Sequence, residues 1–361
     1  LRPTSTPRFS VICPTYNRSR LIAQTLDSVR AQSVTDWELL VVSDGCTDDT
    51  EDWVRAAAGQ DPRIRLIRTE RHGHPSGPRN RGLAESRGEF IAYLDHDDVW
   101  REDHLSALTT AFGSGADVVA TGFELRDREG RVTSASRPLE MCWHPEIQAL
   151  GAVFEPSRVA HRRGCAERVG GWRAGDGMED WDLWLRLADA GARFATVLDR
   201  TAGLLDSVGT RRHHIAGRHH LRVAAFDDVR HAHAVLSELR SGRHTSALRA
   251  ACARDTLAWL RRLAASREFV RPLGWHGDVE AELAEGWGEA DGSWSDLVLV
   301  QRAGRFVLGL PLACATAGHA ERITAMVRRL QPAQWALLDE IIAACGAPGA
   351  AAYVPAGSGP A

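Results

Sequence analysis

The chain has 361 residues, 44% of them hydrophobic and 25% charged, so a main domain and a smaller second one are expected. A formal net charge of -3 excludes general nucleic-acid binding, which needs a strongly basic face. No apolar run approaches the ~18 residues that cross a bilayer. The 44 basic residues are all arginines, which with abundant Ala and Gly looks like GC-rich, actinobacterial-like coding. The seven cysteines (13, 46, 142, 165, 252, 314, 345) are scattered with no C-x-x-C, which predicts reduced thiols in a cytoplasmic protein. No signal peptide opens the sequence, which begins at Leu1, and that expectation reaches no further than the residues given.

In chain order, "FSVIC" (9–13) reads as a strand, and Leu21, Ile22, Thr25, Leu26 and Val29 share one face of a helix over 18–32. "WELLVV" (37–42) is a second strand ended by "SDG", with Asp48 and Glu51 at capping-box spacing ahead of a helix. "RIRLI" (63–67) is a third strand; Pro78 opens and Gly88 closes the next helix. "EFIAYL" (89–94) is a fourth, followed by a helix with Leu105, Leu108 and Phe112. Such alternation predicts an α/β fold with a mostly parallel sheet and helices on both faces, with ligands at the strands' carboxyl ends. Both "SDG" and "DHDD" fall at that edge. Further on, "DVVATGFELRD" and "RVTSA" flank a turn as a hairpin, and "MEDWDLWLRLADAG" (178–191) reads as a helix.

From residue 216 to 346 a mainly helical second domain is expected. Leu221, Ala225, Val229, Ala232, Leu236 and Leu239 form one stripe, and Leu248, Cys252, Trp259, Leu260 and Leu263 lie in the next helical stretch. "DLVLVQRAGRFVLGLPL" is a candidate hairpin. Residues 347–361 cannot bury a core and are expected to be disordered.

Two nucleotide chemistries are excluded. No G-x-G-x-x-G follows the first strand, and the P-loop needs a lysine that the sequence lacks. What remains is "LDHDD", where Asp95 and Asp97 stand at i and i+2 of an extended segment and so face one side. A hard ion such as Mg²⁺ or Mn²⁺ takes one or two such carboxylates and leaves positions for substrate phosphates. A helix cap at Asp97 or Asp98 is the competing reading.

"FSVICPTYNR", "WELLVVSDGCTDDT", "PRNRGLAESRGEFIAYLDHDDVW" and "GGWRAGDGMEDWDLWLRLADAG" occur in that order, and together they closely resemble the family 2 glycosyltransferases, which have the GT-A fold. The resemblance covers residues 8–215, the expected main domain. It implies that Pro14 and Tyr16 line a nucleoside pocket, with Tyr16 against the base, and that Asp44 accepts a hydrogen bond from a uracil ring. Ser43 stands where the family usually has a first Asp, which puts fine donor selectivity in doubt rather than binding. Arg79 would lie near the diphosphate, Asp95 near ribose and metal, and Asp97 would be the principal metal ligand.

Transfer with inversion needs a general base for the acceptor hydroxyl. The resemblance assigns that role to Asp180, with Glu179 its neighbour, while Asp182 reads as a first-turn acid favoured by the helix dipole. Trp172 is a candidate for stacking on an acceptor sugar, and Trp181 a lesser one that reads also as packing. His213 and His214 are candidates for a third metal ligand, or solvated histidines at a domain junction. The reading implied is a metal-dependent (Mn²⁺ or Mg²⁺), inverting glycosyltransferase moving a hexose-type sugar from a UDP-sugar to a hydroxyl or other nucleophile, with no nucleic-acid partner. Its second domain would select the acceptor or form a homodimer. A nucleotide-sugar-binding scaffold without catalysis is the first alternative, resting on Ser43, and a sugar nucleotidyltransferase the second.

Overall fold

A computed structural model describes residues 6–174, 178–206, 219–286, 296–312 and 314–346. The first third of the chain repeats strand and helix: β1 (Phe9–Thr15), α1 (Leu21–Arg30), β2 (Trp37–Asp44), α2 (Thr50–Gln60), β3 (Ile64–Thr69), α3 (Ser76–Glu85), β4 (Phe90–Tyr93), β5 (Val99–Trp100) and α4 (His104–Phe112). The middle holds β6 (Val118–Arg126), β7 (Val132–Ala135), α5 (Pro145–Leu150), β8 (Val159–Arg162), α6 (Cys165–Arg168), α7 (Glu179–Asp189) and β9 (Phe194–Leu205). Strands β3, β2, β1 and β4 lie side by side and run parallel. The sheet continues through β8, β6, β9 and β5 in mixed directions, with β7 paired to β6 as the expected hairpin.

The period of two in the strands explains why both faces are covered. Phe9, Val11 and Cys13 of β1, with Trp37, Leu39 and Val41 of β2 and Phe90 and Ala92 of β4, pack under Ile22, Leu26 and Val29 of α1 and Leu105 and Leu108 of α4. Their alternates Ile12, Leu40, Val42, Ile91 and Tyr93 pack on the other side with Leu83 of α3 and Leu183, Trp184 and Leu187 of α7. Near-continuous apolar strands are what a doubly covered parallel sheet requires.

The chain divides into two compact units, residues 1–215 with Arg267–Gly277 and residues 216–266 with 278–361. The segment Arg267–Gly277, expected inside the second domain, pairs with the first unit. Val270 and Trp143 exchange backbone hydrogen bonds of 2.8 and 2.9 Å, and Leu273 donates to Thr196 at 2.8 Å.

The second unit holds β10 (His219–Phe226), α8 (Val229–Arg240), α9 (Thr245–Ala264), α10 (Val279–Gly286), β11 (Val298–Arg302), β12 (Arg305–Leu312), α11 (Ala317–Leu330) and α12 (Pro332–Cys345). The long helical stripe read from Leu221 is corrected, since Leu221 and Ala225 belong to β10, which pairs with β12 in a three-stranded antiparallel sheet. Its helical part starts only at Val229, where Asp228 accepts from the amides of Arg230 and His231. The expected hairpin is β11–β12.

Candidate functional site

Tyr16, Asp44 and Asp95 stand where the adjacent parallel strands β1, β2 and β4 end. Asn17, at φ 47°, turns the chain out of β1, and its side-chain oxygen accepts from the Thr47 amide at 2.9 Å. That link holds the first two strand ends together. Pro14 is buried within β1, and its carbonyl accepts from His96 Nδ1 at 3.1 Å.

Asp44 is enclosed by the loop that leads from β3 to α3. Its carboxylate accepts from the amides of His72 at 2.7 Å and Gly73 at 3.1 Å, contacts His72 Nδ1 at 3.0 Å and pairs with the Arg71 guanidinium. Burial opposes its charge, but these donors hold its pKa below the usual carboxylate range. Gly45, at φ +67°, makes the approach possible, because a Cβ there would meet the Arg71 amide at 3.1 Å. Arg71 also lies over the Tyr16 ring, 3.4 Å from its centroid. Sequence reading missed Arg71 and His72; "RHGHP", a basic loop after a strand at the ligand edge, was the available signal. Ser43, the departure from the family pattern, donates to Glu51 at 2.8 Å and so ties β2 to α2.

Three acids follow β4. Asp95 accepts from the Arg79 guanidinium at 2.7 Å, and Asp97 lies 3.8 Å from Arg18 Nε. Asp98 is buried, accepting from the Ser157 hydroxyl at 2.5 Å and the Leu205 amide at 2.8 Å. It therefore anchors β9 rather than capping a helix, and Asp103 occupies the N-cap of α4. Neither Asp97 nor Asp98 has the capping role that the sequence left open.

Burial, then the charges of Asp97 and Asp95, raise the pKa of Asp98 well above that of an ordinary carboxyl. The Cys13 thiol is raised likewise by burial and by all three acids. The strand end thus gathers negative charge that Arg79 and Arg18 counter from one side each, a setting into which a divalent cation fits. Among the described residues no group of three or more His, Cys, Asp or Glu side chains is disposed to hold a metal. His213 and His214 lie outside the described residues.

α3 carries the buried cation Arg79. Arg79 is 3% exposed, donates to Asp95 and lies 4.3 Å over the Trp172 ring. Burial works against its charge, yet Asp95, Glu179 and Asp180 more than offset it and raise its proton affinity. One guanidinium is therefore shared by the end of β4 and the start of α7. Asp180 accepts from the Trp181 amide at 2.8 Å, and burial, then the Glu179 carboxylate, push its pKa up to about 7. Asp182 pairs instead with Arg186 at 2.6 Å, a structural link within α7.

Trp172 and Trp181 do not offer an acceptor surface. Each is 3% exposed; Trp172 packs edge-on against Tyr93 and Trp184, and the Trp181 indole donates to the Gln148 carbonyl at 2.6 Å. The sequence marks aromatic residues near the acids of α7 but carries no sign of which way they turn. Among the described residues no helix is long and apolar enough to cross a membrane.

Comparison with known proteins gives a match to the family model "Glycosyl transferase family 2" over residues 10–166. EpsE of Bacillus subtilis (strain 168), provisionally named a glycosyltransferase, is 31% identical over 195 residues, covering 52% of this chain and 69% of EpsE. The GalNAc(5)-diNAcBac-PP-undecaprenol beta-1,3-glucosyltransferase of Campylobacter jejuni is 34% identical over 110 residues, 30% of this chain and 36% of that protein. The chain spans 20%, 50% and 69% of the lengths of three curated relatives it matches. A crystal structure of S. aureus TarS 1-349 in complex with UDP-GlcNAc has a TM-score of 0.49 at 21% identity, covering 60% of this chain and 62% of that one.

Proposed function

The chain belongs to the family 2 glycosyltransferases, and from that premise we propose that it moves a hexose-type sugar from a UDP-sugar to an acceptor nucleophile, with inversion and with Mn²⁺ or Mg²⁺. The observation that carries the reading is Arg79, a buried cation whose charge answers to Asp95 on one side and to Glu179 and Asp180 on the other. A leaving diphosphate needs positive charge next to the group that activates the attacking nucleophile, and this arrangement supports both needs.

Each residue has a task in that reading. Asp44 and Tyr16 take a flat N–H donor, as they already take the Arg71 guanidinium, and a nucleobase would use the same carboxylate and ring face. Arg79 donates toward the diphosphate, for which guanidinium geometry is suited. Asp97 and Asp95 would hold the divalent ion, which supplies charge neutralisation for the departing nucleotide. Asp180 takes the acceptor proton; a pKa of about 7 balances its availability as a base against its strength. Glu179 keeps that pKa high.

Ser43 was the one feature favouring a binding-only protein, and its bond to Glu51 gives it a structural role instead. The seven free cysteines support a cytoplasmic setting. For the second unit the reading is acceptor choice or dimerisation.

The experiment is a panel of nucleotide sugars with Mn²⁺, reading binding by calorimetry and slow hydrolysis by nucleotide release. UDP-sugars should bind and turn over, and Asp180→Asn should bind with turnover lowered by about 10²–10⁴-fold. No binding of any nucleotide sugar would remove the proposal.

A further inference from the structure

We propose that Trp172 is a positioning residue for the diphosphate-binding arginine: its indole face fixes the Arg79 guanidinium between Asp95 and the acid pair of α7. This rests on the donor reading above.

Trp172 is joined to the three elements α3, β4 and α7 that surround Arg79. Its ring lies under Arg79, edge-on to Tyr93 at 4.9 Å and to Trp184 at 5.6 Å. Tyr93 is the last residue of β4, two positions before Asp95, and Trp184 lies on α7 with Glu179 and Asp180. The backbone of Trp172 is clamped as well. The Asn80 side-chain amide accepts from the Trp172 amide and donates to its carbonyl, both at 2.8 Å, and Ser76 donates to the next carbonyl at 2.8 Å. Gly171, at φ +69°, leaves no room for a side chain, since a Cβ would meet Asn80 Oδ1 at 2.7 Å.

The orientation so enforced has a use. Arg79 is buried and gives Nη2 to Asp95, while its Nε has no hydrogen-bond partner among the described residues. A buried guanidinium with an unspent donor is costly unless an anion completes it. A flexible arginine would turn to spend that donor on a neighbouring acid. The indole face opposes this by a cation–π contact, strongest for tryptophan and stronger when removed from water. Packing alone would be served by any large apolar side chain, so the two roles separate experimentally.

The test is a double-mutant cycle on UDP affinity, measured by calorimetry on the full chain with Mn²⁺: wild type, Trp172→Leu, Trp172→Phe, Arg79→Ala, and each Trp172 change combined with Arg79→Ala. Trp172→Leu should weaken UDP by about 10- to 30-fold and Trp172→Phe by about threefold. In the Arg79→Ala background both should cost less than about twofold further, because nothing is left to orient. Equal losses in both backgrounds would overturn the inference and leave Trp172 a packing residue. If Trp172→Leu does not fold, the Trp172→Phe arm decides alone by the same comparison. Failure of wild type to bind UDP would instead overturn the donor reading itself.

Discussion

Arg71 stacks 3.4 Å over the ring of Tyr16 while its guanidinium pairs with Asp44, so one side chain spans the two residues assigned to a nucleobase. A base entering between them has to displace it. Arg71 is 44% exposed, so moving it off the ring costs only ~0.5–1 kcal/mol. Arg71→Ala should therefore bind UDP two- to fivefold more tightly, about what that energy converts to, with the His72 and Gly73 amides still holding Asp44. Titration of UDP into both proteins checks this. Weaker binding would mean that Arg71 turns toward the nucleotide rather than competing with it.

Burial first, and then the charges of Asp97 and Asp95, raise the pKa values of Asp98 and Cys13. Asp97→Asn should reduce the Mn²⁺-dependent gain in UDP affinity by at least about tenfold while leaving metal-free UDP binding near wild type, because the nucleobase contacts are elsewhere. Titrations with and without Mn²⁺ give both numbers. An unchanged metal-dependent gain would place the ion on other ligands.

The parallel half of the sheet was legible because both of its faces are buried. β1, β2 and β4 show as apolar runs, and the acids that end β2 and follow β4 show as interruptions. The mixed half was less so: β5 has two residues, and β8 begins directly after a short turn, leaving no periodicity to read. At β10, "LRVAAF" alternates as a strand while Leu221 and Ala225 also match helical spacing, and pairing with β12 decided between them. Among site residues, Asp44, Arg79, Asp95 and Asp180 come to the same edge or share one cation. Burial was what the sequence lacked. Trp172 and Trp181 differ from an exposed sugar platform only in facing inward, and Asp98 differs from a cap only in reaching Ser157 and Leu205.

Asp180→Asn should lower transfer by ~10²–10⁴-fold with UDP affinity kept within a few-fold. The carboxylate acts when ionised, so wild-type kcat should rise with pH through about 7. The residual rate of Asp180→Asn should lack that rise. A preserved acid limb in the variant would assign the titrating group to another residue.

His104 predicts how stability depends on pH, with Asp180 acting against it. The His104 ring is fully buried and stacked 4.1 Å from Trp100; its Nδ1 meets the Thr201 hydroxyl at 2.7 Å. Burial pushes its pKa down to about 3, against an ordinary 6.5. Between those values the unfolded chain binds the proton and the folded one does not, so the stability present above pH 6.5 is lost as pH falls toward 3. By pH 5 that loss is roughly 2 kcal/mol. Asp180 has the opposite sign: its raised pKa means that stability is full below the ordinary carboxylate range and is lost as pH rises through about 7. His104→Phe keeps an aromatic face on Trp100 and removes the titration, so its urea midpoint should rise between pH 7 and pH 5, where in the wild type the two opposed effects largely cancel. Asp180→Asn should gain stability at pH 7.5 and lose more of it on acidification. Urea midpoints of the three proteins at pH 5, 6, 7 and 7.5 separate the two groups; parallel curves would mean that neither titration is linked to folding.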